Sequence, residues 1–325
     1  TAKIWNVKTG ALLRTISTHT DAVRKVVFSP DGGLFLTASD DKTVKVWKTK
    51  SGELVNTLRG HTGGLKSVSF SPDGRLVLTA ASDNEARIWY VYSKKYIGHS
   101  SSKTLSSHTG ELVSASFSPD GRQILTASVD STAKIWRTET EENLAKELRD
   151  NYWRGDWQIT TLSGHGGSVN SASFSPDSSL VATTSNDKTA KIWDAKAGVL
   201  IHTLSGHTEP VISASFSPDG TKLLTASYDK TAKVWDVATG GLIHTLSGHE
   251  AGIRSPANFN LDGTKIVTSS LDKTAKVWSA ETGDLLDTLR SHSFAVNAAF
   301  FSSDSRKVVT TSYDNTARIW LLLEK

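Results

Sequence analysis

Apolar and polar residues alternate along the chain in short runs separated by turn signals. The stretch from His207 shows the unit plainly: VISASF stops at SPDG, KLLTAS stops at YDKT, AKVW runs into a Thr-Gly turn, and GLIHTLS leads to the next Gly-His. A period of two in β-branched, aromatic and small residues fits pleated, partly buried ribbons, and a helical 3.6 period is absent from these units. The expectation is four strands of five to seven residues each, repeated, and an all-β chain.

The repeat is explicit in two ladders. Trp5, Trp47, Trp89, Trp136, Trp193, Trp235, Trp278 and Trp320 follow one another at 42, 42, 47, 57, 42, 43 and 42 residues. His19, His61, His108, His165, His207, His249 and His292 each precede the next Trp by 28 residues, except His249, which precedes Trp278 by 29. One four-stranded sheet cannot bury both faces alone, so such units must stack on their neighbours.

With Gly-His at 60–61, 164–165, 206–207 and 248–249, FSPDG turns and a closing Trp, the sequence resembles the WD-repeat (WD40) β-propeller family over nearly its whole length. It departs from the family at Thr18, Ser107 and Ser291, where Gly before His is replaced, and Trp-Asp itself stands only at 193–194 and 235–236. The resemblance implies a seven-bladed propeller of four-stranded antiparallel blades, one domain over residues 1–325. It also implies a hydrogen-bonded set in each blade, in which Asp accepts from the imidazole, Ser bridges, and the indole N–H donates to Ser. The matching sets are His19, Ser39, Asp41 and Trp47; His108, Ser128, Asp130 and Trp136; His165, Ser185, Asp187 and Trp193; His207, Ser227, Asp229 and Trp235; His249, Ser270, Asp272 and Trp278; and His292, Ser312, Asp314 and Trp320. In the second repeat His61, Asp83 and Trp89 are present but Ala81 takes the Ser position. That blade is expected to be softer unless Ser82 or a water substitutes, because an unsatisfied buried donor costs about 1–3 kcal/mol.

Seven first, seven second, eight third and seven outer strands are expected, one more than the 28 that seven blades need. The surplus suggests that the outer strand at 11–17 completes the last blade beside 307–320 and closes the ring, with Trp320 favoured over Trp5 in that blade. An eight-bladed parent is the alternative. Pro256, which lacks a ladder donor, lies in a first strand of the repeat that is one residue long, and predicts a β-bulge there.

Two insertions, at about 90–103 and 137–157, interrupt the even spacing between third and outer strands. They hold Tyr90, Tyr92, Tyr96, Tyr152, Trp153 and Trp157. The second predicts a helix over about 140–152, with Thr138 and Glu141 as a capping box and Leu144, Leu148 and Tyr152 on one stripe.

Composition narrows the function. The 325 residues are 37% hydrophobic and 22% charged with a net charge of +4, which is globular and far from the strongly basic balance of nucleic-acid binders. No run of 18 apolar residues predicts a membrane span. Cysteine is absent, which removes disulfides and thiolate metal sites and, with the lack of Asn-x-Ser/Thr, suggests the cytoplasm or nucleus. Methionine is absent too, so either a leading Met is trimmed or the chain is an excerpt of a longer polypeptide.

No phosphate loop, GxGxxG, HExxH, GxSxG or calcium loop occurs, so no cofactor, metal or catalytic residue is expected. Ser, His and Asp together suggest a hydrolase triad, but a constellation repeated in every unit is structural. His202 and His244 are expected to be solvated on outer strands. By the resemblance, partners dock on the face bearing the turns, lined by the residue five after each His and the residue before each Asp. Arg24, Asp40, Lys66, Asn170, Asn186, Tyr228, Arg254, Asn297 and Tyr313 are the candidates there, beside the aromatics of the two insertions. The expected function is a non-catalytic protein-interaction scaffold for protein or peptide partners. The alternative is a sensor or regulatory propeller within a larger multidomain protein.

Overall fold

A computed structural model describes residues 1–91, 102–137 and 157–322. The helix expected over 140–152 and the candidate residues Tyr92, Tyr96, Tyr152 and Trp153 lie outside them. The described residues are all-β, without helix. They fall into two compact units, Thr1–Ser163 and Gly164–Lys325.

In the first unit β1 (Ala2–Trp5) and β2 (Leu12–Ile16) form a hairpin. Three four-stranded sheets follow: β3 (Val23–Phe28), β4 (Leu34–Ser39), β5 (Val44–Lys48) and β6 (Leu54–Leu58); β7 (Leu65–Phe70), β8 (Leu76–Ala81), β9 (Glu85–Tyr90) and β10 (Ser102–Ser106); β11 (Leu112–Phe117), β12 (Gln123–Ser128), β13 (Thr132–Arg137) and β14 (Gln158–Ser163). The second unit has β15 (Val169–Phe174), β16 (Leu180–Ser185), β17 (Thr189–Asp194) and β18 (Leu200–Ser205); β19 (Val211–Phe216), β20 (Lys222–Ser227), β21 (Ala232–Asp236) and β22 (Leu242–Leu246); and β23 (Asn258–Phe259), β24 (Lys265–Ser269), β25 (Thr274–Ser279) and β26 (Leu285–Arg290). Its last sheet, β27 (Val296–Phe301), β28 (Lys307–Ser312) and β29 (Ala317–Leu321), has three strands. Neighbouring strands run antiparallel throughout.

The cores lie between successive sheets. In the first unit Leu36, Val46 and Leu58 meet Val68, Val77 and Trp89 of the next sheet, and Leu78, Ile88 and Leu105 meet Ile124 and Trp136. The second unit repeats this: Ile192 and Leu204 against Leu223 and Trp235, then Val234 and Leu246 against Ile266 and Trp278. Within the units, Trp47, Trp89, Trp136, Trp235 and Trp278 thus bury their rings against the aliphatic face of the preceding sheet, while Trp5 is 46% exposed. This accounts for the ladder, since a buried indole contributes one of the largest apolar areas a side chain has.

Two sequence expectations change. The strand at 11–17 was expected beside the last sheet, but β2 pairs with β1, and no fourth strand joins β29 among the described residues. Local turn chemistry decides this. Asn6 Oδ1 accepts the amides of Lys8 and Thr9, and Asn6 N donates to Ala11 O, closing a short hairpin at little loop entropy. Asp194 and Asp236 make the same turn after their tryptophans, which gives the Trp-Asp pair its physical meaning. Trp5 and Trp320 therefore occupy separate sheets instead of competing for one.

The second change concerns Pro256. Every other first strand already carries a register shift after its first residue, as between Val211 and Ser213. Around Pro256 the strand breaks altogether, leaving an isolated bridge from Ile253 to Ser270 and the two-residue β23. The missing N–H and the extra residue cost more than one bulge absorbs.

Candidate functional site

The His and Asp ladders converge at the end of each sheet. His Nδ1 lies 2.7 or 2.8 Å from Asp Oδ2 in all seven repeats: His19–Asp41, His61–Asp83, His108–Asp130, His165–Asp187, His207–Asp229, His249–Asp272 and His292–Asp314. The opposite ring nitrogen, Nε2, meets a threonine hydroxyl at 2.7 or 2.8 Å: Thr37, Thr79, Thr126, Thr183, Thr225, Thr268 and Thr310 in order. The tryptophan indole N–H donates to that same hydroxyl at 2.8 or 2.9 Å.

The bridging group is therefore threonine, and the serine assignment is corrected. Ser39, Ser128, Ser185, Ser227, Ser270 and Ser312 sit two residues further along the same strand face and do another job. Ser128 Oγ donates to Gly110 O at 2.9 Å and accepts from Asp130 N at 3.1 Å. Ser185, Ser227, Ser270 and Ser312 do likewise with Gly167, Glu209, Ala251 and Phe294, as does Ser39, at a longer 3.3 Å, with Asp21. They pin the incoming loop to the aspartate turn.

One proton arrangement satisfies every member. The indole donates to threonine, threonine donates to His Nε2, and His Nδ1–H donates to the carboxylate, so the imidazole is neutral. Burial holds the imidazoles of His61, His108 and His165 below the ordinary histidine range, despite their aspartate partners. Burial also pushes the carboxyls of Asp41, Asp130 and Asp187 up, but hydrogen bonds from Thr43, Thr132 and Thr189 and from the histidines more than offset it, bringing each to about 2. Among the described residues no serine reaches the histidine nitrogen that a nucleophilic triad needs free, and Thr79, Thr126 and Thr225 are fully buried.

The second repeat is intact. His61, Thr79, Asp83 and Trp89 make all three contacts, so the expected weakness at Ala81 does not arise in this network. Only the loop pin is lost there, and Ser82 Oγ approaches Gly64 O at 3.4 Å in its place.

The turn-side candidates differ between the two units. In the first, Arg24 Nε donates to Asp40 Oδ2 at 2.7 Å, which draws the Asp40 carboxyl below its usual range, and Lys66 lies 3.6 Å from Glu111. These cations face carboxylates of their own chain. In the second, Asn170 Nδ2 donates to Asn186 Oδ1 and to Val211 O, both at 2.9 Å, and Asn297 accepts from Thr311.

Beyond them a strip of exposed apolar side chains runs over three successive sheets. Tyr228, Leu271 and Tyr313 occupy equivalent turns, and Phe294, 60% exposed, stands beside them with the exposed Arg254. Backbone bonds hold these turns side by side: Ile253 N donates to Ser227 O, Leu271 N to Gly252 O, Val296 N to Ser270 O and Tyr313 N to Ala295 O. The Tyr228 ring covers Gly252, where an added Cβ would lie 3.0 Å from it. Phe294, two residues after His292, was not singled out in the sequence, because other repeats carry Gly, Asp, Glu or Ala there.

Among the insertion aromatics, Tyr90 and Trp157 pack half-buried against the Leu105–Ile124 core. His202 and His244 are not simply solvated. Their Nε2 atoms reach Ala238 O at 3.0 Å and Glu281 O at 2.7 Å, bridging each outer strand to the next turn. Among the described residues no group of three or more His, Asp or Glu is placed to hold a metal ion, and no helix is long and apolar enough to cross a membrane.

Comparison with known proteins accords with this geometry. The family model "WD domain, G-beta repeat" (WD40) matches at residues 10–48, 52–90, 99–137, 157–194, 198–236, 240–279 and 283–320. A stretch of 43 residues is 56% identical to WD repeat and SOCS box-containing protein 1 of Danio rerio, covering 13% of this chain and 10% of that protein. A stretch of 38 residues is 58% identical to vegetative incompatibility protein HET-E-1 of Podospora anserina, covering 12% of this chain and 3% of that one. The match thus spans a tenth or less of the length of these relatives. A crystal structure of the computationally designed Ika8 protein aligns with a TM-score of 0.82 at 26% identity, over 98% of this chain and 90% of that one.

Proposed function

The chain belongs to the WD40 family and has its seven-bladed β-propeller fold, and on that premise we propose that it is a non-catalytic scaffold that holds protein partners. WD40 propellers generally serve as protein-interaction scaffolds. One observation carries the reading to particular residues. The seven ladder histidines and their aspartates are consumed in the hydrogen-bonded networks, while Tyr228, Leu271, Phe294 and Tyr313 stand exposed on adjoining turns with Arg254 among them. Tyrosine, phenylalanine and arginine are the side chains that interfaces enrich, because each combines apolar area with polar or aromatic contacts.

The test replaces Tyr228, Phe294 and Tyr313 together by serine and compares affinity capture with the parent chain. Loss of a defined set of proteins, with the melting temperature kept, is expected. An unchanged set of captured proteins contradicts the assignment of the strip.

A second reading, a sensor or regulatory propeller inside a larger multidomain protein, is favoured by the relatives themselves. One is named for a SOCS box in addition to its repeats, and the matched stretch is 3% of the other. We propose the cytoplasm or nucleus as its place, on the absence of cysteine and of glycosylation sequons.

A further inference from the structure

Among the described residues Arg254 lacks the carboxylate partner that its equivalents Arg24 and Lys66 have. In the first repeat the strand pair Val23–Ser39 is followed by Arg24 on one side and Asp40 on the other, and Arg24 Nε donates to Asp40 Oδ2 at 2.7 Å. The bridge Ile253–Ser270 is followed in the same register by Arg254 and Leu271. Lys66 draws on a second place: it lies 3.6 Å from Glu111, three residues after His108 of the next repeat. For Arg254 the corresponding residue, three after His292, is Ala295. Both places that supply a carboxylate to the sister cations are thus apolar here.

The surroundings of Arg254 are set within the second unit, with a described sheet on either side. Ile253 N donates to Ser227 O of the sheet before, and Val296 N of the sheet after donates to Ser270 O. Tyr228 and Leu271 both adjoin Gly252, two residues before Arg254: the Tyr228 ring lies against it, and Leu271 N donates to its carbonyl. These two side chains stay 38% and 37% exposed, enough to be covered further by a partner. Glu250, in the loop before Arg254, acts on Lys276. An exposed arginine thus stands beside two apolar side chains whose backbone is fixed by its neighbours.

We infer that Arg254 anchors an acidic residue of a partner protein. The partner segment pairs an Asp or Glu carboxylate with the guanidinium, and a neighbouring aliphatic or aromatic side chain covers Tyr228 and Leu271. This rests on the reading of the strip as a protein-binding surface and names the chemistry of what binds there. A guanidinium takes a carboxylate in a two-pronged, charge-assisted pair, and apolar neighbours strengthen that pair by excluding water. A nucleic acid is the poorer match, because phosphate binding draws on several cations and this site offers one among apolar groups. The same arrangement discriminates between partners, since a basic or uncharged segment leaves the covered arginine without a counter-charge.

The test pans a random-peptide phage library on the full chain and measures the selected peptides by fluorescence anisotropy against the parent and Tyr228→Ser chains. Peptides that need Tyr228 are expected to carry Asp or Glu close to an aliphatic or aromatic residue. Their affinity should fall about tenfold or more in Arg254→Glu and in Arg254→Gln, and replacing the peptide's acid by lysine should restore part of the binding to Arg254→Glu. Leu271→Asp, which gives Arg254 the partner that Arg24 has, should weaken binding more than Leu271→Asn does. Peptides that need Tyr228 but lack an acid, or that bind both Arg254 variants as they bind the parent, overturn this inference and leave the strip standing. Absence of any peptide that needs Tyr228 overturns the reading of the strip and this inference with it. Displacement of the peptides by a DNA duplex at lower concentration than by unlabelled peptide assigns the cation to phosphate and overturns the inference as well. If Leu271→Asp fails to fold, the Arg254 variants still decide.

Discussion

Trp89 and His61 meet on a single atom, the Thr79 hydroxyl oxygen, which accepts the indole N–H at 2.9 Å and lies 2.7 Å from imidazole Nε2. The strand position two residues later is Ala81, so this repeat does without the serine that six others have. Ala81→Ser should therefore change unfolding stability by no more than about 1 kcal/mol, the size of one ordinary hydrogen bond. Urea denaturation measures it. A gain well above that would show that serine, and not threonine, completes the network.

Acid should weaken the fold in two stages of the same sign. Burial holds His61, His108 and His165 below the ordinary histidine range, so the unfolded chain binds protons that the folded chain refuses once pH falls below about 6.5. Asp41, Asp130 and Asp187 stand at about 2 against 3.8 when unperturbed. Their contribution is complete above about pH 4 and is lost as pH falls towards about 2. The melting temperature is expected to be level above about pH 7, to decline gently below it, and to fall steeply below about pH 4. A melting temperature that rises between pH 7 and 5 would be inconsistent with neutral buried imidazoles.

Glycines in similar backbone conformations should differ in cost. Gly240 and Gly10 both have φ of 70°, yet a Cβ on Gly240 would lie 2.9 Å from the His202 ring while one on Gly10 meets nothing within 4 Å. Both substitutions to alanine incur the left-handed backbone penalty of about 1–2 kcal/mol. Gly240→Ala should cost at least about 1 kcal/mol more, because the ring must shift and loses its bond to Ala238. That excess should shrink in a His202→Ala background. An equal cost at both glycines in chemical denaturation would mean that the contact between outer strand and turn carries no weight.

The repeat, its all-β character and the strand count were legible because alternation, turn residues and the Trp and His ladders all have one physical cause, the stacking of identical sheets. The bridging hydroxyl was harder to read. Thr37 and Ser39, and their equivalents, share one strand face a single pleat apart, and either hydroxyl satisfies the chemistry on paper. The discriminating signal was present: threonine stands ten residues before the tryptophan in all seven repeats, while serine fails at Ala81. The partner of β2 was obscured for another reason. Strand pattern tells what a segment pairs like and not with whom, and here the Asn6 turn decides. The exposed strip escaped in part because Phe294 breaks the repeat, so periodicity directs attention away from it.

The central claim is that these networks are structural and close on threonine. Its most direct measurement is the unfolding free energy of Thr225→Val beside that of Ser227→Ala, on adjacent pleats of β20. Thr225→Val leaves the Trp235 indole and the His207 ring without their shared partner, and a loss of about 2–4 kcal/mol is expected, since each orphaned buried group costs about 1–3 kcal/mol. Ser227→Ala should lose about 1 kcal/mol. A larger loss from Ser227→Ala than from Thr225→Val would contradict the account.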